Sequence, residues 1–580
     1  MVHVKSFLPD PPTLPPTNIS TFLLDSRDVP DHLLYIDGLS GQRRTRNEFK
    51  ERVGLARTIL GSKVENGGVG LDSQCMVAIF SENCMEYATL VLALCSLAVP
   101  FALCSAYATQ YELAHFLRIS KATHIFAHSD LLETALGSAK EVGIPTSGIH
   151  ILEGARKHGF YSLENYISKA KSANMSMIAT KPVTRNQLAF LLFSSGTTGL
   201  PKAVAISHNN VIDCTLQSLV WLQSILASPS PPVAPPNGQL NTALGYLPMY
   251  HTFGLHSYCL RPFVVPSTVV LIPRWNTNLA LYLIPKYRVT TLPSVPPIIQ
   301  QLSNSPDLTK TDMSSVISIA SGAAYLPPVL AQKVSQQLGG AVKVVHGYGL
   351  SEVTISAINM TVEGQLGRWK YNPDATGALI PGMEARTVRE DGSEAEYGET
   401  GELWLKGPNV ALGYYGNPKA TKETFVDGWV RTGDNFKIDR EGYFYFQDRA
   451  KDIMKISGMQ VSPAEIESTL LNHPGGLIED VAVAGVQISL DQTGANNDEL
   501  SRLGPRAWVV LTEKGRSLGE KRVAQELNDW LKSRLSRYKQ LTGGIGFVSE
   551  IPKIATGKVL RRQLVENYAK ETQGTIRAKL

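Results

Sequence analysis

The densest anion-binding chemistry of the chain lies in one nine-residue run. It contains four hydroxyls, two glycines and one ammonium, and it reads Ser194-Ser195-Gly196-Thr197-Thr198-Gly199-Leu200-Pro201-Lys202. Glycines let backbone N–H groups approach an anion without interference from Cβ, and the hydroxyls and the ammonium add further donors. The sequence therefore predicts a polyphosphate cradle. The run is not a Walker A loop, because no Gly-Lys-Ser/Thr follows four residues after a glycine.

A second segment combines an aromatic face with a hydroxyl and a carboxylate. It reads His346-Gly347-Tyr348-Gly349-Leu350-Ser351-Glu352. Its glycines allow the backbone to lie close to a flat ring, to which Tyr348 can offer a face. Ser351 can donate a hydrogen bond to a phosphate, and Glu352 can hold Mg²⁺ through oxygen. These groups suit a ligand that carries a flat ring, phosphates and a metal ion.

Further segments occur along the chain in a fixed order. They are LPMYHTFG (247–254), VPP (295–297), SGAA (321–324), WVRTGD (429–434), DRAKD (448–452), KISGMQVSPAEIE (455–467) and PKIATGKVLRR (552–562). With them the chain resembles the adenylate-forming superfamily, which comprises acyl-CoA synthetases, peptide-synthetase adenylation domains and beetle-type luciferases. The resemblance extends over residues 30–565. VPP, SGAA and the Gly-Tyr-Gly turn are similar to those of the 4-coumarate–CoA ligase-like branch.

The resemblance implies a set of nucleotide contacts. Asp434 would accept both ribose hydroxyls, a task that needs two acceptor oxygens. Arg449 would be the cation on the ribose and phosphate side, and Glu352 would hold the metal ion. The implied ATP- and AMP-binding residues are Ser194, Ser195, Gly196, Thr197, Thr198, Gly199, Lys202, Gly322, Ala323, His346, Gly347, Tyr348, Gly349, Ser351, Asp434, Arg449 and Lys558.

The resemblance also implies catalytic residues and a hinge. Lys558 would be the main catalytic residue, because one ammonium on a mobile loop can bridge the attacking carboxylate and the α-phosphate as charge redistributes. His251 would line the path of the carboxylate. Lys455 would act in thioester formation, Lys451 would be the hinge between domains, and the CoA-facing residues would be Lys455, Ser457 and Gly458.

The acid itself is left open by the sequence. The implied acyl-pocket residues are Thr252, Phe253, Ser257, Ala320 and Ile355. Ala320 is smaller than the residue that the 4-coumarate–CoA ligase-like branch often has there, and Ile355-Ser356 replaces the usual small, proline-containing turn. Because Ala320 and Ser257 are small, we expect a cavity for an aryl, polyketide or medium-chain acid that is bulkier or longer than coumarate.

The predicted activity is that of an acid–CoA ligase using ATP, Mg²⁺ and coenzyme A. The acid would first form an acyl-adenylate with release of pyrophosphate, and the CoA thiol, or a carrier-protein thiol, would then displace AMP. One alternative is a luciferase-like oxidoreductase that adds oxygen to the same adenylate. Another is a binding protein without catalysis, which the presence of Glu352, Asp434, Arg449 and Lys558 disfavours. If the motifs carry no function, these charges belong to solvated loops and a basic patch.

The elements that would position these residues form an α/β protein. Alternating helical patterns and short apolar runs predict two α/β subdomains, over residues 46–180 and 207–359, and the run 188–193 predicts a buried strand. Short glycine-rich runs over 377–446 predict antiparallel strands in a small β-barrel. We expect a large N-terminal AMP-binding domain (1–449) and a mobile, smaller α+β C-terminal domain (450–580) with helices at 463–471 and 523–535. Residues 229–238 and 487–504 are predicted surface loops.

Composition restricts the partners and the compartment. The chain has 580 residues, a net charge of +5 and six cysteines without a CxxC motif. These features suit anionic small molecules and reduced thiols, and they give no indication of nucleic-acid binding. Residues 87–106 predict a buried helix that runs into a core strand, so no membrane span is expected. The terminal Ala578-Lys579-Leu580 resembles a peroxisomal address read by an import receptor, without which the protein would be cytoplasmic.

Overall fold

The fold is seen in a computed structural model. It describes residues 3–26, 28–155, 157–194, 201–235, 238–340, 342–449, 452, 454–456, 459–488, 502–535, 537–554 and 557–577. The strands, numbered in chain order, are β1 (His3–Lys5), β2 (Leu33–Asp37), β3 (Arg43–Thr45), β4 (Val77–Phe80), β5 (Phe101–Cys104), β6 (His124–Ala127), β7 (Ile149–Ile151), β8 (Leu188–Ser194), β9 (Lys202–Ser207), β10 (Asn241–Gly245), β11 (Ser267–Leu271), β12 (Thr291–Ser294), β13 (Ser318–Ser321), β14 (Lys343–Tyr348), β15 (Ile358–Asn359), β16 (Ala378–Leu379), β17 (Glu384–Val388), β18 (Gly401–Lys406), β19 (Gly413–Tyr414), β20 (Phe425–Val426), β21 (Trp429–Ile438), β22 (Phe444–Arg449), β23 (Met454–Ile456), β24 (Met459–Val461), β25 (Ile478–Ile488), β26 (Arg502–Leu511) and β27 (Ile545–Phe547).

Helices connect these strands and cover the sheets. They are α1 (Arg46–Gly61), α2 (Met85–Ser96), α3 (Gln110–Ser120), α4 (Leu132–Val142), α5 (Leu163–Ser172), α6 (His208–Leu226), α7 (Thr252–Gly254), α8 (Thr277–Tyr287), α9 (Pro296–Asn304), α10 (Pro328–Gln337), α11 (Pro418–Thr424), α12 (Pro463–Leu471), α13 (Glu513–Leu518), α14 (Glu520–Arg534) and α15 (Arg561–Arg577). None of the helices in the described part of the chain has the length and apolar character needed to cross a membrane.

The first α/β subdomain is built on a seven-stranded sheet in the order β19-β9-β8-β5-β4-β6-β7. Strands β4 to β8 are parallel, whereas β9 is antiparallel to β8 and β19 is antiparallel to β9. Every residue of α2 is buried, and the helix leads to the fully buried strand β5. The predicted buried helix followed by a core strand is therefore confirmed, as is the buried strand β8.

The second α/β subdomain has nine strands in the order β16-β15-β14-β13-β12-β10-β11-β2-β3. Its centre, from β2 through β14, is parallel. The carboxyl ends of neighbouring parallel strands meet at one edge of a sheet, where α/β proteins place their ligands. Here the register puts Ser321 beside Ser294 and His346, so the SGAA and HGYGLSE segments leave the sheet side by side.

A third sheet is antiparallel, as predicted for residues 377–446. It contains β17, β18, β20, β21 and β22, and β1 forms its outer edge by pairing with β17. Closure of this sheet into a barrel is not confirmed. The contribution of β1 was not expected, because a three-residue strand at positions 3–5 gives no periodic signal in the sequence.

The C-terminal residues form their own α+β unit. Its sheet has the order β25-β26-β27, and the buried members of its two hydrophobic clusters all lie between residues 454 and 564. Helix α12 has the predicted bounds, and α14 begins three residues before the predicted helix. The predicted surface loop 487–504 is wrong at its ends, because residues 487–488 and 502–504 pair as strands; residues 489–501 lie outside the described residues. The boundary at 449/450 stays a prediction.

Candidate active site

The polyphosphate-cradle prediction falls on the connection between β8 and β9. These strands form an antiparallel pair in which Ser194 stands opposite Lys202, so the two ends of the run are neighbours across the sheet. Ser195, Gly196, Thr197, Thr198 and Gly199 lie outside the described residues. The geometry therefore confirms the strand before the run, and the phosphate-binding role stays a prediction.

Glu352 lies in a short turn directly after β14, and its side chain is buried. The Tyr414 hydroxyl donates a hydrogen bond of 2.9 Å to Glu352 Oε1, and Lys202 Nζ lies 4.8 Å from the centre of the Tyr414 ring. Burial raises the pKa of the Glu352 carboxyl, while hydrogen bonds from Tyr414 and Ser194 and the charge of Lys202 lower it. The end of the cradle and the predicted metal ligand are thus brought together.

Tyr414 is a site residue that the sequence did not reveal. It stands 62 residues after Glu352, and it reaches the site because β19 pairs with β9. Sequence spacing carries no signal for a contact of this kind. Only the antiparallel pairing of a two-residue strand with the end of the cradle produces it.

A strained turn supports Glu352. The φ and ψ angles of Thr354 are +66° and −52°, in a region that a β-branched residue rarely adopts. The Thr354 hydroxyl donates to the Asn409 carbonyl at 2.7 Å, and Asn409 Nδ2 donates to the carbonyls of Val353 and Ser356, each at 2.9 Å. Asn409 is completely buried. These bonds hold the turn in a conformation that the backbone alone does not favour.

The HGYGLSE segment lines a cavity of about 570 Å³ at the carboxyl ends of β13 and β14. Tyr348 donates a hydrogen bond of 2.7 Å from its hydroxyl to Asp434 Oδ2, and Asp434 is 7% exposed. His346 Nε2 lies 3.0 Å from the Ala375 carbonyl, and burial lowers the pKa of this imidazole. Ala323 also lines the cavity. Four of the predicted nucleotide-binding residues, Ala323, His346, Tyr348 and Asp434, therefore share one cavity.

The packing of the chain against itself requires glycine at position 349. A Cβ at this position would come within 1.7 Å of the Ile355 carbonyl oxygen, which no side chain tolerates. The expectation was that glycine would allow the backbone to approach a ligand ring. The structure adds that Gly349 also allows the chain to fold back over itself between β14 and the Glu352 turn.

Lys558 lines the same cavity as Tyr348 and Asp434. Its loop is anchored by the bridge Lys553↔Val559. The preceding Gly557 has φ +84°, and a Cβ there would lie 2.8 Å from Pro297 of the VPP segment. The predicted catalytic lysine is therefore placed against the nucleotide-site motifs.

Ion pairs fix the base of the Lys558 loop. Arg561 is paired with Asp452 at 3.0 Å and with Glu467 at 2.8 Å, and these two carboxylates raise its pKa against the effect of burial. Lys553 Nζ lies 2.5 Å from Asp480 Oδ2. Ser462 donates to Asp448 at 2.7 Å, which ties the start of α12 to β22. The ion pairs thus hold the C-terminal unit together, and the Ser462–Asp448 bond joins it to the end of the third sheet.

The predicted acyl residues lie on neighbouring elements. Thr252 donates a hydrogen bond from Oγ1 to the Thr354 carbonyl, and the ring of Phe253 lies 3.2 Å from where a Cβ on Gly322 would stand. His251 is partly exposed, and desolvation lowers the pKa of its imidazole to about 4, so it is neutral at pH 7. A neutral imidazole adds no charge at this position.

The remaining predicted acyl positions are partly exposed. Ala320 lies in β13 two residues before Gly322, Ser257 lies in the helical turn Leu255–Leu260, and Ile355 follows the strained Thr354. Their contact with an acid stays a prediction.

The thioester-side predictions fall at the edge of what the structure describes. Lys455 lies in β23, which pairs with β24. Arg449 ends β22, and the register places its backbone opposite Asp434 of β21. Ser457, Gly458 and the predicted hinge residue Lys451 lie outside the described residues, as do Ala578, Lys579 and Leu580.

Comparison with known protein families identifies the chain. The AMP-binding enzyme family matches residues 25–415, and the AMP-binding enzyme C-terminal domain matches residues 465–558. The chain belongs to the AMP-binding enzyme family. This confirms the resemblance that the motifs indicate, and both matched regions contain elements of the cavity described above.

Individual relatives of this AMP-binding enzyme are similar over almost their whole length. An acyl-CoA ligase of Alternaria alternata is 30% identical over 93% of this chain and 91% of its own. A peroxisomal OPC-8:0-CoA ligase of Arabidopsis thaliana is 30% identical over 96% of this chain and 94% of its own. The crystal structure of ATP-bound MatB from Rhodopseudomonas palustris superposes with a TM-score of 0.78 at 26% identity, covering 95% of this chain and 98% of that chain.

The activity class follows from this membership. This protein is an ATP-dependent ligase that forms AMP and a CoA thioester in two steps through an acyl-adenylate. The predicted fold class, an α/β N-terminal part with a separate C-terminal domain, is confirmed.

Proposed function

We propose that the cavity lined by Tyr348, Asp434 and Lys558 is the adenylation site and that Lys558 is its catalytic ammonium. The observation that carries this proposal is the placement of Lys558, from the C-terminal unit, in the same cavity as the nucleotide motifs. A positive charge there can stabilise the negative charge that moves onto the α-phosphate during attack.

In the first half-reaction, an oxygen of the substrate carboxylate attacks the α-phosphorus of ATP and the bond to pyrophosphate breaks. Ser194, Lys202 and the hydroxyls between them would hold the departing phosphates. Asp434 would hold the ribose, because its carboxylate is kept in place by the Tyr348 hydroxyl at 2.7 Å. Little covalent chemistry is left to the protein, so positioning and electrostatics account for catalysis.

In the second half-reaction, the CoA thiol attacks the acyl carbonyl carbon and AMP leaves. With Lys558 in the proposed adenylation cavity, the C-terminal domain (450–580) would turn to present the Lys455–Gly458 segment instead. We propose that this turn occurs about Lys451. Two arrangements of one small domain suit two reactions, one at phosphorus and one at the acyl carbon, that need different protein groups in one site.

The residues around Glu352 fit Mg²⁺. The Glu352 side chain is a buried carboxylate next to the end of the cradle. Mg²⁺ prefers oxygen ligands such as carboxylates and phosphate oxygens. Bound there, Mg²⁺ would neutralise phosphate charge. Glu352 would supply the protein oxygen, and the Tyr414 hydrogen bond would orient that oxygen.

The acid is proposed to be an aryl, polyketide or medium-chain acid. The small side chains of Ala320 and Ser257 support this choice. Ala578-Lys579-Leu580 supports location in the peroxisome through an import receptor, and the peroxisomal ligase of Arabidopsis thaliana is a relative with that location in its name.

The test separates the two half-reactions with Lys558→Ala. Acid-dependent exchange of pyrophosphate into ATP measures adenylation, and CoA ester formation from synthetic acyl-adenylate measures transfer. We expect exchange to fall by about 10²- to 10³-fold while transfer is largely retained. The control is Lys532→Ala, an exposed lysine of α14 that is paired with Asp529 at 3.2 Å. Equal losses in both reactions would contradict the role of Lys558.

A hinge variant is expected to give the opposite result. Lys451→Pro fixes φ at the proposed hinge, so pyrophosphate exchange should continue while CoA transfer fails. Loss of exchange with transfer retained would exclude this hinge. ATP- and oxygen-dependent light emission without CoA ester formation would instead indicate luciferase-like chemistry.

A further inference from the structure

Tyr414 contacts the two charged residues at the phosphate end of the site. Its hydroxyl donates to Glu352 Oε1 at 2.9 Å, and its ring lies 4.8 Å from Lys202 Nζ. Lys202 belongs to the end of the cradle and Glu352 to the turn after β14, so the contacts join two separate loops. A tyrosine can do this because its ring attracts a cation and its hydroxyl donates to a carboxylate.

The position of Tyr414 is itself fixed by its surroundings. Its backbone pairs with Val204 of β9, and its N–H donates to Thr421 Oγ1 at 3.0 Å. The Phe425 ring meets the tyrosine ring edge to face at a centroid distance of 5.7 Å. Strand pairing, a side-chain hydrogen bond and ring packing therefore hold the phenol in one direction.

The segment after Tyr414 adds to this support. Thr421, which accepts from the Tyr414 N–H, lies in α11, and the Asn417 side chain caps that helix by accepting from Ala420 N–H at 3.0 Å. The short helix is thus bonded to the backbone of β19 at Tyr414. A side chain so anchored can transmit a fixed geometry to the groups that it contacts.

We propose that Tyr414 is a positioning residue that sets the orientation of Glu352 for Mg²⁺ and of Lys202 for the ATP phosphates. The proposal rests on the proposed function, because it assigns Glu352 and Lys202 to those ligands. The hydroxyl acts on the carboxylate, and the ring acts on the ammonium. The two contributions are therefore separable by substitution.

Two variants test the two parts. Tyr414→Phe keeps the ring and removes the hydroxyl, whereas Tyr414→Leu removes both. Tyr415→Phe is the matched control, because it removes a hydroxyl from the adjacent residue, whose backbone N–H donates to Ala203 at 2.7 Å. Binding of ATP to the full-length enzyme is measured by titration calorimetry, once with Mg²⁺ and once with EDTA, together with the melting temperature and the Mg²⁺ dependence of pyrophosphate exchange.

Tyr414→Phe is expected to weaken ATP binding about tenfold with Mg²⁺, because a hydrogen bond to a charged group is lost, and to leave binding in EDTA unchanged. The Mg²⁺ concentration for half-maximal exchange should rise by a similar factor, while KM for the acid stays the same. Tyr414→Leu should also weaken binding in EDTA, because Lys202 loses its aromatic partner. Tyr415→Phe should match the unmodified enzyme in every measurement.

Other outcomes overturn the proposal. If Tyr414→Phe weakens binding equally with and without Mg²⁺, or lowers only the melting temperature, the tyrosine has a structural role. If the unmodified enzyme binds ATP with Mg²⁺ and both variants bind it equally well, only the positioning role is wrong. If the unmodified enzyme neither binds ATP nor exchanges pyrophosphate, the proposed function is wrong and the role of Tyr414 falls with it.

Discussion

Replacing Asn409 with alanine is expected to disturb the Glu352 turn more than it disturbs the rest of the protein. The Asn409 amide is completely buried and donates to the Val353 and Ser356 carbonyls, both at 2.9 Å. Alanine removes this donor from both carbonyls, although the Val353 carbonyl still accepts from the Ile355 N–H at 2.7 Å. One unsatisfied buried group costs about 1–3 kcal/mol, so we expect the free energy of unfolding to fall by about 2 kcal/mol.

The turn loses more than stability in this variant. Thr354 keeps its bond to the Asn409 carbonyl and the bond from Thr252, but the carbonyls of Val353 and Ser356 on either side of it lose the Asn409 amide. Glu352 is two residues away, so its carboxylate should no longer be held in one place. A displacement of about 1 Å near reacting groups can cost up to about a hundredfold in rate. We expect kcat/KM for ATP in pyrophosphate exchange to fall by about tenfold to a hundredfold.

Asn18→Ala is the matched control. Asn18 is 4% exposed, and its amide donates to the carbonyls of Cys95 at 2.7 Å and Lys181 at 3.1 Å, so this variant also loses two bonds that the amide donates. Each asparagine also accepts one bond at Oδ1, from the Ser20 N–H at 2.9 Å in Asn18 and from Gln217 at 3.4 Å in Asn409. Urea unfolding should show a similar loss of stability in both variants. Only Asn409→Ala should lose activity toward ATP. Equal kinetic effects in the two variants, or an unchanged kcat/KM for ATP in Asn409→Ala, would refute the reasoning.

Three further outcomes are expected. His208 accepts from the Ile19 N–H at Nδ1, and burial lowers its pKa from 6.5 to about 4, so the unfolded chain takes up the proton first. The contribution of neutral His208 to the free energy of unfolding is therefore complete above pH 6.5 and is lost as the pH falls from 6.5 to about 4. Urea unfolding at pH 7.5 and 5.0 should show this loss, and the loss should be smaller in His208→Asn, which keeps an acceptor that does not titrate. Ala320→Met should shift the preference of CoA ester formation toward smaller acids by about tenfold, because overpacking a filled site costs about 1–3 kcal/mol; an unchanged ranking of acids would show that Ala320 does not face the substrate. Deleting residues 578–580 should move a fluorescently tagged protein from peroxisomes to the cytosol without changing its activity; an unchanged punctate pattern would indicate another signal.

The local parts of the structure were predictable because their signals are local. The apolar run 188–193 is enough to specify β8, and Pro463 with Leu471 bounds α12 as expected, because a cap, a proline at the helix start and a 3.6-residue period all lie within one short segment. The order of the motifs along the chain likewise predicted the family. The ends of paired strands were harder to predict from the sequence. Residues 502–504 were assigned to a polar loop, yet they belong to β26, because the partner strand β25 decides where the pairing ends.

The amino-acid sequence by itself determined the chemical groups, the α/β alternation and the family. The tertiary structure decided which groups meet. Tyr414 contacts Glu352 across 62 residues, and Asn409 holds the carbonyl of Val353 across 56 residues. Both contacts depend on β19 pairing with β9 and on the chain around Asn409 packing against the turn after β14. Such contacts have no period or spacing in the sequence, because burial and strand pairing between distant segments, not local propensity, select them.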